Sequence, residues 1–192
     1  MEEKILQASM DIFARQGYRG LSIKRITDKL GLSKAAFYAH FQSKNELLHR
    51  LIDEFERQYL DELIHRIQDH PGTAIDKIHR AMSFGSELGF KHPELIICYQ
   101  TLNSELRAVP DFEPALTRVR CKQELFLTDL FSQGVREGLL RNDLDPGTMA
   151  KVFIALSAGM FQQWIFQQSH IDGNQYIRAI RRLVFEGLLA WR

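Results

Sequence analysis

Cysteine is scarce in this chain. Cys98 and Cys121 stand apart with no CxxC pair, so they can build neither a disulfide framework nor a Cys-rich zinc site. They read as reduced thiols, and a cytoplasmic protein is expected. The opening residues Met1 to Leu6 lack a basic leader followed by an apolar run, so no secretory signal is expected. Long apolar runs are missing as well. The longest stretch without Asp, Glu, Lys or Arg, residues 152–171, contains Gln162, Gln163, Gln167, Gln168, Ser169 and His170. Amides without partners are costly in hydrocarbon, so this stretch reads as a buried helix, with no membrane partner.

Catalytic patterns are also lacking. There is no His-Glu-x-x-His and no Gly-x-Ser-x-Gly. Glu62 and His65 form a single Glu-x-x-His, whereas a di-iron bundle requires two copies and further inward glutamates. Neither cysteine has an evident basic activator. His65, His70, His79, His92 and His170 read as surface or helix-end residues. No catalytic residue, metal site or cofactor is therefore expected, and the chain does not read as an enzyme.

What remains is an ordinary globular composition of 45% hydrophobic and 26% charged residues over 192 positions, room for a small module attached to a larger one. The net charge of +1 conceals an asymmetry. Residues 1–50 carry 9 Lys and Arg against 5 Asp and Glu, while the remainder carries 16 against 19. A basic first quarter ahead of a neutral body fits a polyanion-binding module. No Gly or Pro falls between Leu32 and His70, and afterwards Pro71-Gly72, Pro93, Pro110, Pro114, Pro146-Gly147 and Asp172-Gly173 recur at about one helix length. Apolar residues repeat at three and four, with no period-two alternation. The chain reads as all-α, with about nine helices.

The first helix is predicted from about Glu2 to Gln16, with Ile5, Ala8, Ile12 and Phe13 inward and Gly17 at its end. Ser22 caps a short helix carrying Ile23, Ile26 and Leu30. Gly31-Leu32-Ser33 then has the composition of the turn in a helix-turn-helix: Gly31 permits the reversal, Leu32 plugs the core and Ser33 caps the next helix. Residues 34–41 form that helix. Phe37 and Phe41 face inward, leaving Lys34, Ala35, Ala36, Tyr38 and His40 around the rest of the surface. Ser43 and Glu46 read as a capping box, and the helix they start is predicted to run to about residue 69. Leu48, Leu51, Ile52, Phe55, Tyr59, Leu63 and Ile67 form its inward face. Its free amides, with Lys44 and Tyr38 beside them, suit a phosphate clamp.

The core Ile26, Leu30-Gly31-Leu32-Ser33-Lys34, the run Phe37-Tyr38-Ala39-His40-Phe41, and Ser43-Lys44 followed by Glu46-Leu47 closely resemble the N-terminal signature of the TetR (tetracycline-repressor-like) family of bacterial transcription regulators. The likeness covers about residues 4 to 52. It implies a three-helix DNA-binding head, here residues 1–45, and a larger helical body, residues 46–192, that dimerises and binds a small ligand. It further implies repression that ends when the ligand arrives. By the same resemblance the DNA contacts fall on Ser22, Lys24, Ser33, Lys34, Ala35, Ala36, Tyr38, His40 and Lys44. Lys24, Tyr38 and Lys44 suit phosphates, while Lys34, Ala35, Ala36 and His40 suit base edges, with alanine methyls packing on thymine methyls. The family often carries glycine and a hydroxyl residue where this chain has Ala35 and Ala36, and an aromatic at Ala39. One hydroxyl contact is thus missing, which shifts part of the readout toward DNA shape.

In the body, residues 152–161 are apolar nearly all round and need cover on every side. The last helix repeats Ile177, Ile180, Val184, Gly187, Leu188 and Trp191 at three and four. Two such helices per chain suit a four-helix dimer interface built on Ala155, Ala158, Gly159, Phe161, Ile180, Val184, Gly187, Leu188 and Trp191; packing within one chain is the alternative. The resemblance implies a cavity between the long fourth helix and those after it, and Tyr59, Phe84, Tyr99, Asn103, Phe126 and Gln163 are its candidate lining. The body has no Gly-rich phosphate loop, so a hydrophobic or aromatic effector is expected. The partners expected are a double-stranded DNA operator, a second copy of the chain and an unidentified small molecule. Activators and effector-independent regulators share these motifs, and a helical protein-interaction module is a further alternative.

Overall fold

Helix α1, Glu2–Gly20, buries Ile5, Ala8, Ile12 and Phe13 as its spacing predicts. It is interrupted at Gly17, whose φ of 64° and ψ of −168° lie off the helical path. A side chain would be strained there, which is why a glycine ends the regular part of the helix. The computed structural model describes residues 1–166 together with 172, 175, 178, 179, 182, 183, 186, 187 and 189. Helices α2, Ile23–Leu30, and α3, Lys34–Tyr38, follow. Next is α4, which starts as Lys44–Phe55, passes through a π-helical turn at Glu56–Asp61 and resumes over Glu62–Gln68. Four more follow: α5 (Ala74–Lys91), α6 (Pro93–Leu106), α7 (Glu113–Arg136) and α8 (Pro146–Phe166). The ninth predicted helix falls mostly outside the described residues. Among them there is no strand, only an isolated bridge between Leu140 and Leu189. No described helix is long and apolar enough to cross a membrane.

The π-helical turn modifies the predicted inward face of α4. Leu48, Leu51, Ile52 and Phe55 are buried at three and four, but the next buried residue is Leu60, followed by Leu63 and Ile67. A step of five from Phe55 is the spacing an i→i+5 turn supplies. Tyr59, predicted at the α-helical step of four, is half-buried instead.

The chain divides into two compact units. One comprises Met1–Glu62 and Leu88–Arg120, the other Leu63–Glu87 and Cys121–Arg192. In the first unit α6 packs along α1 and against α4. Gln7 donates to Glu94 at 3.2 Å, Asn45 to Asp111 at 2.9 Å, and the His49 ring lies 4.8 Å from that of Phe112. Arg118 bridges Asp53 and Glu56 of α4, at 2.8 and 2.9 Å. Leu95, Cys98, Tyr99 and Leu102 complete this core.

In the second unit, Asp76 accepts the Thr73 amide at 2.9 Å and Glu137 accepts that of Ala74 at 2.8 Å, so the α5 start is capped from within and from the end of α7. These hydrogen bonds hold both carboxyls below their usual range. Gly134 lets Leu140 approach: a Cβ there would lie 2.5 Å from its Cδ1. Asp145 caps α8 through the Thr148 amide at 2.8 Å, and Phe131 meets Phe153 edge to face at 5.7 Å.

Two outcomes are expected. Burial drives the Cys98 thiol far above its ordinary pKa, whereas Cys121 is exposed. A thiol reagent should therefore label one cysteine per native chain and the second only on unfolding, with peptide mapping placing the first label on Cys121. Phe37→Ala removes a side chain with no solvent exposure. It should cost about 3–5 kcal/mol in chemical denaturation.

Candidate nucleic-acid interface

The surface of the helix-turn-helix is set by three caps and two aromatic anchors. Ser22 accepts the Arg25 amide at 3.3 Å and Ser33 accepts that of Ala36 at 3.1 Å, so each short helix has one otherwise orphan N–H satisfied. Between them Gly31 takes the left-handed conformation, φ 65° and ψ 31°. Leu32 is half-buried, partly filling the space beneath the turn. Phe37 and Phe41 stack at 5.6 Å and are buried, while Tyr38 meets Phe37 edge to face at 5.5 Å. With the anchors inside, Lys34, Ala35, Tyr38 and His40 are exposed, and Ala36 is half-buried. The regular part of α3 ends at Tyr38, leaving His40 and Phe41 in the turn that follows.

At the start of α4 the capping box differs in one partner. Ser43 accepts the Glu46 amide at 3.1 Å as predicted, but the Glu46 carboxylate accepts the amide of Gln42 at 2.6 Å. The box thus reaches one residue further back. Lys44 is half-buried: its ammonium donates to the Tyr18 carbonyl at 3.1 Å and sits 3.9 Å from the centre of the Tyr18 ring. Burial pushes its pKa down. Lys24 forms a highly exposed pair with Asp28 at 2.6 Å. Exposed pairs contribute little, so the Lys24 ammonium is readily exchanged to another anion.

Two supporting residues carried no motif. Arg25 donates to the Gly20 carbonyl at 2.9 Å and also to Gln16, tying α2 to the end of α1. Lys29 pairs with Asp11 at 2.7 Å. In sequence they register only as basic charge near the turn, because their partners lie nine and eighteen residues away.

The predicted pocket residues are placed unequally. Tyr59 and Tyr99 both stack on Phe55, at 5.1 and 3.7 Å, and burial pushes both phenols up to about 12. Asn103, also on α6, is half-buried. In the second unit Phe84 is buried with the Arg66 guanidinium 4.9 Å from its ring centre, Phe126 is half-buried and Gln163 exposed. None of the six lines either of two surface depressions in that unit. One, about 430 Å³, is bounded by His70, Pro71, Asp76, His79, Arg80 and Ser83. The other, about 270 Å³, includes Cys121, Leu125 and Lys151. Of the predicted dimer residues, Ala155, Ala158, Gly159 and Gly187 are exposed and Phe161 is half-buried. Ile180, Val184, Leu188 and Trp191 lie outside the described residues.

Residues 5–51 match the family described as bacterial regulatory proteins, tetR family. The HTH-type transcriptional repressor KstR2 of Mycolicibacterium smegmatis is 27% identical over 190 residues, spanning 97% of this chain and 89% of that protein. The structure of the ketosteroid transcriptional regulator KstR2 of Mycobacterium tuberculosis superposes with a TM-score of 0.83 at 21% identity, covering 98% and 94% of the two chains. The regulator FadR from Bacillus subtilis, in complex with stearoyl-CoA, gives 0.81 at 19% identity, covering 97% and 99%. The helix-turn-helix lies within residues 5–51, the stretch that matches the tetR family of bacterial regulatory proteins.

Proposed function

We propose that the chain is a transcriptional repressor that binds a near-palindromic DNA operator as a homodimer and is released by an apolar small molecule. The observation that carries this reading is the solvent-facing side of α3. Lys34, Ala35 and Tyr38 on the helix and His40 in the turn after it are exposed, while Phe37 and Phe41 lock the opposite side. A recognition helix for the major groove requires that combination of fixed backbone and presented side chains. Lys24, Tyr38 and Lys44 position the head on phosphates. Lys34, Ala35, Ala36 and His40 read base edges, with Ser22 and Ser33 at the helix starts. Residues 1–45 serve as the head and 46–192 as the body.

Dimerisation is supported by α8. From Lys151 to Ile165 no residue is buried within the single chain, although most are apolar, and Val152 and Leu156 are 54% and 47% exposed. Such a face suits a second copy. Two heads would then reach successive major grooves about 34–36 Å apart. The effector reading draws on the stacked aromatics around Phe55 and on the relatives named for ketosteroid regulation and stearoyl-CoA binding. Any such effector acts only through tighter binding to the conformer with low DNA affinity.

Selection of fragmented genomic DNA by the purified protein tests the reading, and enrichment of one inverted repeat is expected; no enrichment even at low salt would reject it. On the recovered site, Lys24→Ala should weaken binding to all sequences and reduce the salt slope by about one. Ala35→Ser should change which bases are preferred while leaving that slope intact. Placing a charge on the exposed α8 face, Ala158→Asp, should yield monomers by light scattering and abolish binding to the full repeat.

A further inference from the structure

The Gly17 break leaves the start of the α1–α2 turn dependent on partners from elsewhere in the sequence, and two are present. The Tyr18 amide donates to the Glu105 carboxylate of α6 at 3.2 Å. The Tyr18 carbonyl accepts from the Lys44 ammonium at 3.1 Å, while the Tyr18 ring lies beneath that same ammonium at 3.9 Å. A Cβ at position 17 would stand 3.0 Å from a Glu105 carboxylate oxygen, so that carboxylate would have to give way by a few tenths of an ångström. Tyr18 is therefore gripped on its amide side from the last turn of α6 and on its carbonyl side from the first turn of α4.

An ammonium has three N–H donors, and the Tyr18 carbonyl takes one. The seat on the carbonyl and ring fixes the direction of a flexible four-carbon side chain and leaves donor capacity for a phosphate. Pre-orienting a contact in this way removes ordering entropy from the binding step. Because Glu105 lies in the final turn of α6, an axial shift of that helix would move its carboxylate relative to the Tyr18 amide.

We infer that Glu105 is a positioning residue for DNA binding: by fixing Tyr18 it holds Lys44 aimed at the phosphate backbone, and it makes DNA affinity sensitive to the position of α6. This rests on the reading of Lys44 as a phosphate contact. Glu105 itself is not placed on DNA. A bare electrostatic role would have the opposite sign, since removing a carboxylate near DNA strengthens binding, whereas removing a positioning hydrogen bond weakens it.

The test uses the full chain and a mixed-sequence duplex of about 30 base pairs, because a phosphate contact is sequence-independent. Affinity is titrated across salt concentrations for Glu105→Ala, Glu105→Gln, Lys44→Ala and the Glu105→Ala/Lys44→Ala double variant. Glu105→Ala should weaken binding about tenfold, as for a lost hydrogen bond to a charged group, and lower the salt slope toward that of Lys44→Ala. Glu105→Gln, whose amide oxygen can still accept from Tyr18, should remain within about twofold of the parent. The double variant should bind no more weakly than Lys44→Ala alone. Tighter binding by both Glu105 variants, additive losses in the double variant, or a loss with an unchanged salt slope would each overturn the positioning role while leaving the phosphate contact in place. A Lys44→Ala variant with unchanged affinity and slope would overturn both.

Discussion

A helix of five residues has no stability of its own, because nucleation costs more than so few hydrogen bonds return. Helix α3 exists because Phe37, at its centre, and Phe41, just past its end, are removed from water and stack on one another. Everything that the head presents to solvent depends on this burial. The two rings choose which face of the helix turns inward, and the remaining side chains are exposed by default. The serine caps on either side of the Gly31 turn then stop the short elements from fraying. Direction thus comes from apolar burial and precision from a handful of hydrogen bonds.

The same division of labour recurs outside the head. In the first unit, α1 and α6 are joined along apolar faces, and exposed polar pairs such as Gln7 with Glu94 decorate the edge. In the second, the start of α5 takes its caps from Asp76 and from the distant Glu137, and Gly134 gives Leu140 the room to close against the helix. The exposed ion pairs, Lys24 with Asp28 among them, add little stability. Their use lies in keeping charged groups solvated and exchangeable.

Much of this was legible in the sequence, and the reason is local. Ser22, Gly31, Ser33 and Ser43 act on residues within a turn of themselves, so spacing alone exposed them. The three-and-four repeat located the core faces of α1 and the first half of α4, and the charge-poor stretch after residue 151 marked α8 as a face in need of cover. What stayed hidden depends on residues far apart. Nothing near Lys44 points to Tyr18, and Glu105 is separated from it by 87 residues. The grouping of α6 with the head is likewise a long-range fact, invisible to a reading that cuts the chain at residue 45. Tyr59 shows a subtler limit. A step of four from Phe55 is the natural expectation for an α-helix, and only the π-helical turn moves the buried place to Leu60. The candidate pocket residues were chosen by aromatic character alone, which does not foretell that Tyr59 and Tyr99 both stack on Phe55.

The π-helical turn also constrains how this gene segment can change length. It amounts to one extra residue within an otherwise regular α-helix. Deleting any single codon between those for Glu56 and Asp61 would restore a plain α-helix, and each residue of α-helix advances the chain by roughly 100°. Leu63 would then follow Phe55 by seven residues, about two full turns, so Leu48, Leu51 and Phe55 would stay in phase with Leu63 and Ile67. A single-residue deletion is therefore tolerated across these six positions, so homologues that keep the burial pattern of α4 should place any one-residue gap of this helix here.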